Sequence, residues 1–339
     1  MGYLIGTDEA GYGPNFGPLV VSATVWHVKG SPRGVDLYRR LGPAITRDGN
    51  GDAASGAVWI ADSKAVYRAG QGLAALEQGV HAALGCCRER LSDWRDLWPA
   101  LTGQPAPTAV IDPCCADFHC ELPLAVATDE IERAAATVNG AMRAAGVRLR
   151  AVHSRAIFAR EFNNLVAEHG GKGAALSQVT TELLGAALDN IDRDGVDHDH
   201  LDQDHLGDSE PEPAWIVCDK HGGRNRYGPL LQQRFPETLI EVRDESRARS
   251  VYRWRRGGQA VEAHFCAGGE RHLPVALASM VSKYLREVAM LAFNRFWSLR
   301  LPDLRPTAGY PTDAHRFRRD IAGAQRELGM EDGVLWRAR

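Results

Sequence analysis

Several features are scarce in this 339-residue chain, and each scarcity excludes something. There is no run of about 18 apolar residues, so no membrane-spanning helix is expected. The opening residues, Met1-Gly2-Tyr3-Leu4-Ile5-Gly6-Thr7-Asp8, lack a basic stretch followed by an apolar one. No secretory signal is expected there, and a cytoplasmic location is the default. The cysteines number seven, odd and too few for a disulfide scaffold of this size, which fits a reducing compartment. Net charge is also small, −3 at pH 7. Taken alone, that value argues against a polyanionic partner.

The charge is unevenly spread. Residues 191–212 carry seven Asp, two Glu and one Arg, a local sum of −8. From Trp215 to Arg339 there are 22 Lys plus Arg against 14 Asp plus Glu. An acidic stretch therefore masks a basic C-terminal third, and that asymmetry says more about partners than the total does.

Apolar runs alternate with helical patterns. Strands are expected at 3–8 and 19–26, joined by a wide loop of Gly and Pro, and at 58–61, 215–218, 238–242, 249–254 and 260–265. Gly257-Gly258 suits a hairpin turn between the last two. Helices are expected at 70–89, 128–145, 154–168, 173–193, 275–298 and 313–328. The class is α/β or mixed α+β, in a single domain over 1–339. Prolines break the stretch after residue 93 into an insertion over about 93–150. Residues 194–213 read as a solvated, mobile acidic loop. A C-terminal helical part covers about 275–339.

Three strand ends carry acids. Asp8 and Glu9 follow the first strand, Asp219 follows the strand at 215–218, and Glu270 follows the strand at 260–266. Such ends gather side chains along one sheet edge, where α/β sites form. Clustered carboxylates without compensating cations repel one another unless a divalent ion sits among them. Hard oxygen donors point to Mg²⁺ or Mn²⁺. Asp244, after the strand at 238–242, competes with Glu270 for the fourth position.

Five motifs in order give these acids a context. The first is Ile5-Gly6-Thr7-Asp8-Glu9-Ala10-Gly11-Tyr12-Gly13-Pro14, followed by Gly17-Pro18-Leu19-Val20-Val21. Asp62-Ser63-Lys64 comes next, then Asp219 at a strand end. Glu270 stands four residues before Pro274, which precedes Ala278-Ser279-Met280-Val281-Ser282-Lys283. The last is Gly309-Tyr310-Pro311-Thr312-Asp313-Ala314-His315. This series resembles the type 2 ribonucleases H, ribonuclease HII and its relatives.

The resemblance implies a ribonuclease H-like fold, a mixed five-stranded sheet flanked by helices. It implies an endoribonuclease that cleaves the RNA strand of RNA–DNA hybrids, or cleaves beside ribonucleotides embedded in DNA. Asp8, Glu9, Asp219 and Glu270 would be the catalytic acids and would bind Mg²⁺ or Mn²⁺ for a two-metal phosphodiester hydrolysis. Gly11, Tyr12 and Gly13 would meet the sugar-phosphate backbone, Lys64 would meet phosphate, Ser63 would cap a helix or meet phosphate, and Tyr310 would stack on a sugar. Independently of the resemblance, Arg224 and Arg226 follow Asp219 closely and are candidates for a nucleic-acid contact. His315 reads as a helix support. The implied partner is the hybrid or ribonucleotide-containing duplex, with no membrane, bound by a monomer.

The chain also departs from the family. Tyr12 stands where members usually have Arg and removes a cation. Glu replaces Asp at the fourth acid. The chain is well over the usual length, and the excess falls in 93–150, in the acidic stretch and in the hairpin at Gly257-Gly258. The arginines at 243, 247, 249, 253, 255 and 256 alternate with Tyr252 and Trp254, which could put arginines and aromatics on opposite faces of a strand as a nucleic-acid contact surface. Cys114, Cys115, His119 and Cys120 lack the usual zinc-knuckle spacing and read as free thiols. Two alternatives remain: a nucleic-acid-binding relative with altered or lost catalysis, and a small-molecule phosphotransferase using the same acids.

Overall fold

The structure is a computed structural model that describes residues 1–49, 56–67, 72–198 and 211–338, the side chains of 192–198 excepted. In chain order, β1 (Gly2–Ala10) and β2 (Leu19–Val28) precede α1 (Leu37–Leu41), the short parallel pair β3 (Ile45–Thr46) and β4 (Val58–Trp59), and α2 (Ser63–Val66). Three helices follow: α3 (Ala74–Leu84), α4 (Trp94–Thr102) and α5 (Thr128–Ala145). Next come β5 (Val147–Ile157), α6 (Ala159–His169), α7 (Lys172–His198), β6 (Ala214–Asp219) and α8 (Gly228–Arg234). A three-stranded run, β7 (Glu241–Glu245), β8 (Arg249–Arg256) and β9 (Gln259–Cys266), leads through a 3₁₀ turn at Gly269–Arg271 into α9 (Leu273–Ser298). The chain then forms α10 (Pro311–Glu327) and α11 (Asp332–Leu335).

The main sheet has the order β5-β2-β1-β6-β9-β8-β7. β1 runs antiparallel to β2 and parallel to β6, and β6 runs parallel to β9. This is the expected mixed sheet flanked by helices, with seven strands in place of five. Five of them are β5, β2, β1, β6 and β9, with β5 at one edge of the sheet. The arginine-rich β8 and the short β7 add the other two, antiparallel, beyond β9.

Other expectations shift at their boundaries. β5 was not foreseen, and the helix expected from 154 begins only at Ala159. The reason is a period-2 pattern, in which Val147, Leu149, Val152, Ser154 and Ala156 are buried between more exposed neighbours. β5 pairs with β2 along its length, so residues 147–150, expected in the insertion, belong to the sheet, and α4 and α5 precede them. The strand expected at 238–242 lies at Glu241–Glu245. α7 continues to His198, into the stretch read as a loop from 194, and residues 199–210 lie outside the described residues.

Both faces of the sheet are covered at its centre. On one side Leu4, Val20 and Trp26 pack with α3, α5 and α9. On the other, Ile5, Val25 and Ile216 meet α7 and α8. α9 is the central pillar. Its start presses so closely on β1 that a β-carbon on Gly6 would lie 2.3 Å from the Pro274 carbonyl carbon. Thr24 Oγ1 donates to the Pro274 carbonyl at 2.8 Å, fixing the same crossing from β2. The second half of α9 packs with α10 around Phe16, through Phe293, Trp297 and Phe317.

Candidate active site

The parallel register pairs Thr7 with Cys218, so the next residues, Asp8 and Asp219, lie side by side on neighbouring strands, Asp219 as the last residue of β6 and Asp8 and Glu9 just before the last residue of β1. α9 reaches this edge through small residues. Ser282 Oγ donates to the Asp8 carbonyl at 3.1 Å, and Ser279 works to lower the Asp8 pKa. Burial, together with the adjacent Glu9 and Asp219 carboxylates, holds the Asp8 carboxyl well above its ordinary range. Burial likewise pushes Glu9 up to about 7, with Asp219 adding to the shift. Burial works to lower the Lys64 pKa, but Asp62, Asp8, Glu9 and Asp219 together hold it above the usual lysine value. The Lys64 ammonium thus faces three strand-end acids that repel one another.

Glu270 joins this edge through its neighbour. The Gly269 N–H donates to Asp219 Oδ1 at 2.9 Å, which pins the 3₁₀ turn carrying Glu270 against the end of β6. Asp244 sits elsewhere. It is on β7, three strands across from β6, about 14 Å at the usual strand spacing. Its Oδ2 already accepts from Arg249 Nε at 2.9 Å. Position and pairing set Asp244 apart from Asp219, while the turn that carries Glu270 is bonded to Asp219 through Gly269.

The glycine loop is held from below by two buried arginines. Gly11 has φ +87°, and a β-carbon there would lie 2.5 Å from the Pro18 carbonyl oxygen and 2.8 Å from Arg286, so only glycine fits. Arg286, on α9, donates to the carbonyls of Phe16 and Ala308 at 3.3 and 2.9 Å. Arg337 donates to the carbonyls of Gly11 and Pro14, and its own N–H bonds the Asn15 carbonyl at 2.8 Å. Asn15 N–H in turn donates to the Gly309 carbonyl at 2.7 Å, so the motif at 309–315 docks on the motif at 5–14. Gly13 stands open: a β-carbon added there would meet nothing within 4 Å among the described residues.

The remaining expected contact residues divide. Lys64 is exposed and Tyr310 is 45% exposed, its ring 5.7 Å from the Arg286 guanidinium, so both are available at the surface. Tyr12 is half-buried against the apolar cluster of Leu19, Phe162 and Leu176. Ser63 is buried; its hydroxyl accepts from Ser279 at 3.0 Å, and Asp62, not Ser63, caps α2 by accepting from Lys64 N–H. Ser63 therefore ties α2 to α9 and does not present a hydroxyl outward. Arg224 lies in the turn after β6 with its guanidinium folded onto the Arg226 carbonyl at 3.4 Å. His315 packs its ring on Trp336 at 5.2 Å, a helix support as expected.

Sequence reasoning assigned no role to Ser279, Ser282, Arg286 or Arg337. The small residues of α9 lay inside a quoted motif and signalled close packing. Arg337 had no local signal, because its partner Pro14 is 323 positions away. Elsewhere, β8 puts Tyr252 and Trp254 into the core and Arg249, Arg253 and Arg255 on the other face, close to the expected division; Arg256 breaks it by pairing with Asp189 of α7. All seven cysteines are free thiols, and His119 bonds Asp93 at 2.6 Å.

Among the described residues, no three His, Cys, Asp or Glu side chains are gathered closely enough to hold a metal ion as they stand. The donor chemistry at the strand ends nevertheless suits one. It consists of hard carboxylate oxygens, desolvated, mutually repelling and faced by a single lysine. Among the described residues, no helix is long and apolar enough to cross a membrane.

No family model matches the chain, and no curated protein matches it. Several solved structures are similar. Ribonuclease HII of Archaeoglobus fulgidus, in a complex with PCNA, is 14% identical with a TM-score of 0.43, covering 99% of this chain and 94% of that one. Ribonuclease H2 of Pyrococcus horikoshii OT3 is 13% identical with a TM-score of 0.42, covering 98% and 92%. Bst-RNase HIII in complex with Mn²⁺ is 16% identical with a TM-score of 0.38, covering 99% and 66%. The chain has a mixed sheet flanked by helices, and its ordered motifs resemble those of the type 2 ribonucleases H.

Proposed function

We propose that the protein is a metal-dependent endoribonuclease of the type 2 ribonuclease H kind, acting on RNA–DNA hybrids or at ribonucleotides embedded in DNA. The observation that carries this reading is the juxtaposition of Asp8 and Glu9 at the end of β1 with Asp219 at the end of the adjoining parallel strand. Asp8, Glu9, Asp219 and Glu270 would hold Mg²⁺ or Mn²⁺, which supplies an activated water and charge stabilisation at phosphorus.

The chain's own groups account for the rest. Ser282 fixes Asp8 from α9, and the Gly269 N–H fixes Asp219. The exposed Lys64 ammonium is the cation left to meet a phosphate beside the acids. Gly11 and Gly13 let the loop backbone approach a ribose 2′-hydroxyl, the group that distinguishes RNA from DNA. Tyr310 offers its exposed ring to a sugar.

The test is cleavage of an RNA–DNA hybrid and of a DNA duplex with one ribonucleotide, each with Mg²⁺ and with Mn²⁺. Folded protein that cleaves neither sinks the reading. One observation favours a second reading, a nucleic-acid-binding relative with altered catalysis: Tyr12 is tucked into an apolar cluster where the resemblance calls for a cation. Hybrid binding without cleavage, unchanged by Asp8→Asn, would select it.

A further inference from the structure

β8 and β9 extend the sheet beyond the strand pair that carries the acids; one face of this extension is packed, and the other is open apart from Val251 and Cys266, which are buried. Tyr252, Trp254, Ala263 and Phe265 turn toward α7 and α8. The opposite face presents Arg249, Arg253 and Arg255 from β8, and Ala260, Glu262 and His264 from β9, all at least partly exposed. At its far end lies a groove of about 600 Å³, whose lining includes Arg33, Arg243, Arg253, Arg255, Glu241 and Glu262.

Among the described residues, the charge of this groove is not balanced. Four arginines meet two glutamates. Glu262 takes the Arg253 guanidinium at 2.7 Å and lies 3.6 Å from Arg33, while Glu241 pairs with Arg243 at 2.8 Å. The Arg255 guanidinium donates to the Gly258 carbonyl of its own hairpin, and among the described residues no acid pairs with it. The wall also carries a flat stack, in which the Trp215 ring lies on His264 at 4.5 Å and 14°, with the Arg33 guanidinium 5.6 Å from the Trp215 ring. Guanidinium groups beside aromatic planes match a sugar-phosphate backbone with bases nearby.

The groove shares its sheet with the carboxylates. Trp215 is four residues before Asp219 on β6, about 13 Å along the strand, and Ala260 is six residues before Cys266 on β9, about 20 Å. At 3.4 Å per base step, these spans correspond to roughly four to six steps. A duplex seated on the acids must continue across some surface at that distance, and the acids themselves repel it.

We propose that the open face of β8 and β9, with its arginine groove, is a second nucleic-acid contact surface that holds the duplex backbone about four to six base steps from the carboxylates. This rests on the ribonuclease reading for the identity of the duplex, and on groove charge and position for the contact. The surface is read through phosphate, so it adds affinity without base preference.

The experiment uses full-length protein in EDTA, where no cleavage is needed. Affinity is measured by anisotropy for a labelled eight-base-pair RNA–DNA hybrid, and for the same hybrid extended by twelve DNA base pairs on either side in turn. The wild type should bind one extended duplex at least tenfold more tightly than the short one. The double variant Arg243→Glu/Arg255→Glu should lose most of that gain. Its slope of log affinity against log salt should shrink by about two, since each lost phosphate contact removes about 0.9. Arg243→Gln/Arg255→Gln, with a melting temperature checked against the wild type, guards against misfolding and should show the same direction at smaller size.

Equal wild-type affinity for short and extended duplexes overturns the proposal and leaves the face to a protein partner. Unchanged length dependence and salt slope in both folded variants also overturn it. If the wild type shows the length-dependent binding but cleaves nothing in Mg²⁺ or Mn²⁺, the ribonuclease reading fails and this surface stands. If it cleaves hybrids without length-dependent binding, the reverse holds.

Discussion

The two ends of one sheet treat charge in opposite ways. Where β1 and β6 end, Asp8, Glu9 and Asp219 are drawn together with Lys64 as the nearby cation, and burial raises the pKa of Asp8 and Glu9. Along β7 to β9 the acids are answered by arginines: Glu241 by Arg243, Asp244 by Arg249, and Glu262 by Arg253. The difference separates charge kept under tension from charge settled on the surface. Tension costs stability and is retained where chemistry needs it. Settled pairs contribute little energy, so an excess of one sign among them is the part that speaks to partners.

The largest effect that could break this contrast is at the acid end. Asp8→Asn should lower hybrid cleavage by about a thousandfold or more, the loss of several kcal/mol of charge stabilisation, while hybrid binding in EDTA persists. Cleavage within tenfold of the wild type would remove Asp8 from the chemistry. Next in size is the crossing that places these acids. Gly6→Ala would drive a methyl into the start of α9, and about 3 kcal/mol of stability should be lost in urea unfolding. A loss under about 0.5 kcal/mol would mean that α9 can shift without cost.

The tension itself should appear in the pH dependence of the metal-free protein. Glu9 titrates near 7 in the folded chain, above the ordinary value of 4.5. The stability from its retained proton is complete below about pH 4.5 and is lost as pH rises through about 7. The melting temperature in EDTA should therefore fall between pH 5.5 and pH 8, and Glu9→Gln should flatten that fall by a few degrees. The smallest effect belongs to the settled end. Arg243→Ala removes an exposed pair and should change stability by less than about 1 kcal/mol in the same urea assay. A larger loss there would mean that the surface pairs also hold the fold.

Much of the acid end was legible in the sequence. Asp8, Glu9 and Asp219 follow apolar strands, and strand ends deliver side chains to one edge whatever else the chain does. Glu270 was proposed from the resemblance, through its distance from Pro274, and the turn that carries it is bonded to Asp219 through the Gly269 N–H. β5 was missed because Val147-Arg148-Leu149-Arg150 alternates over a short span that borders a strong helix pattern, and strand pairing with β2 decides what local propensity leaves open. Ser63 was misjudged for a related reason. A hydroxyl in a turn looks available until a distant helix, here α9 through Ser279, arrives to claim it.

The contact between Arg337 and the carbonyls of Gly11 and Pro14 has a consequence in time. The strands β1 and β2 can pair as soon as residue 28 has been made, but the loop between them waits for a side chain synthesised more than three hundred residues later. During translation the acids of β1 therefore exist before the loop beside them has its final floor. A nascent chain stopped short of Arg337 lacks the side chain that holds this loop from below.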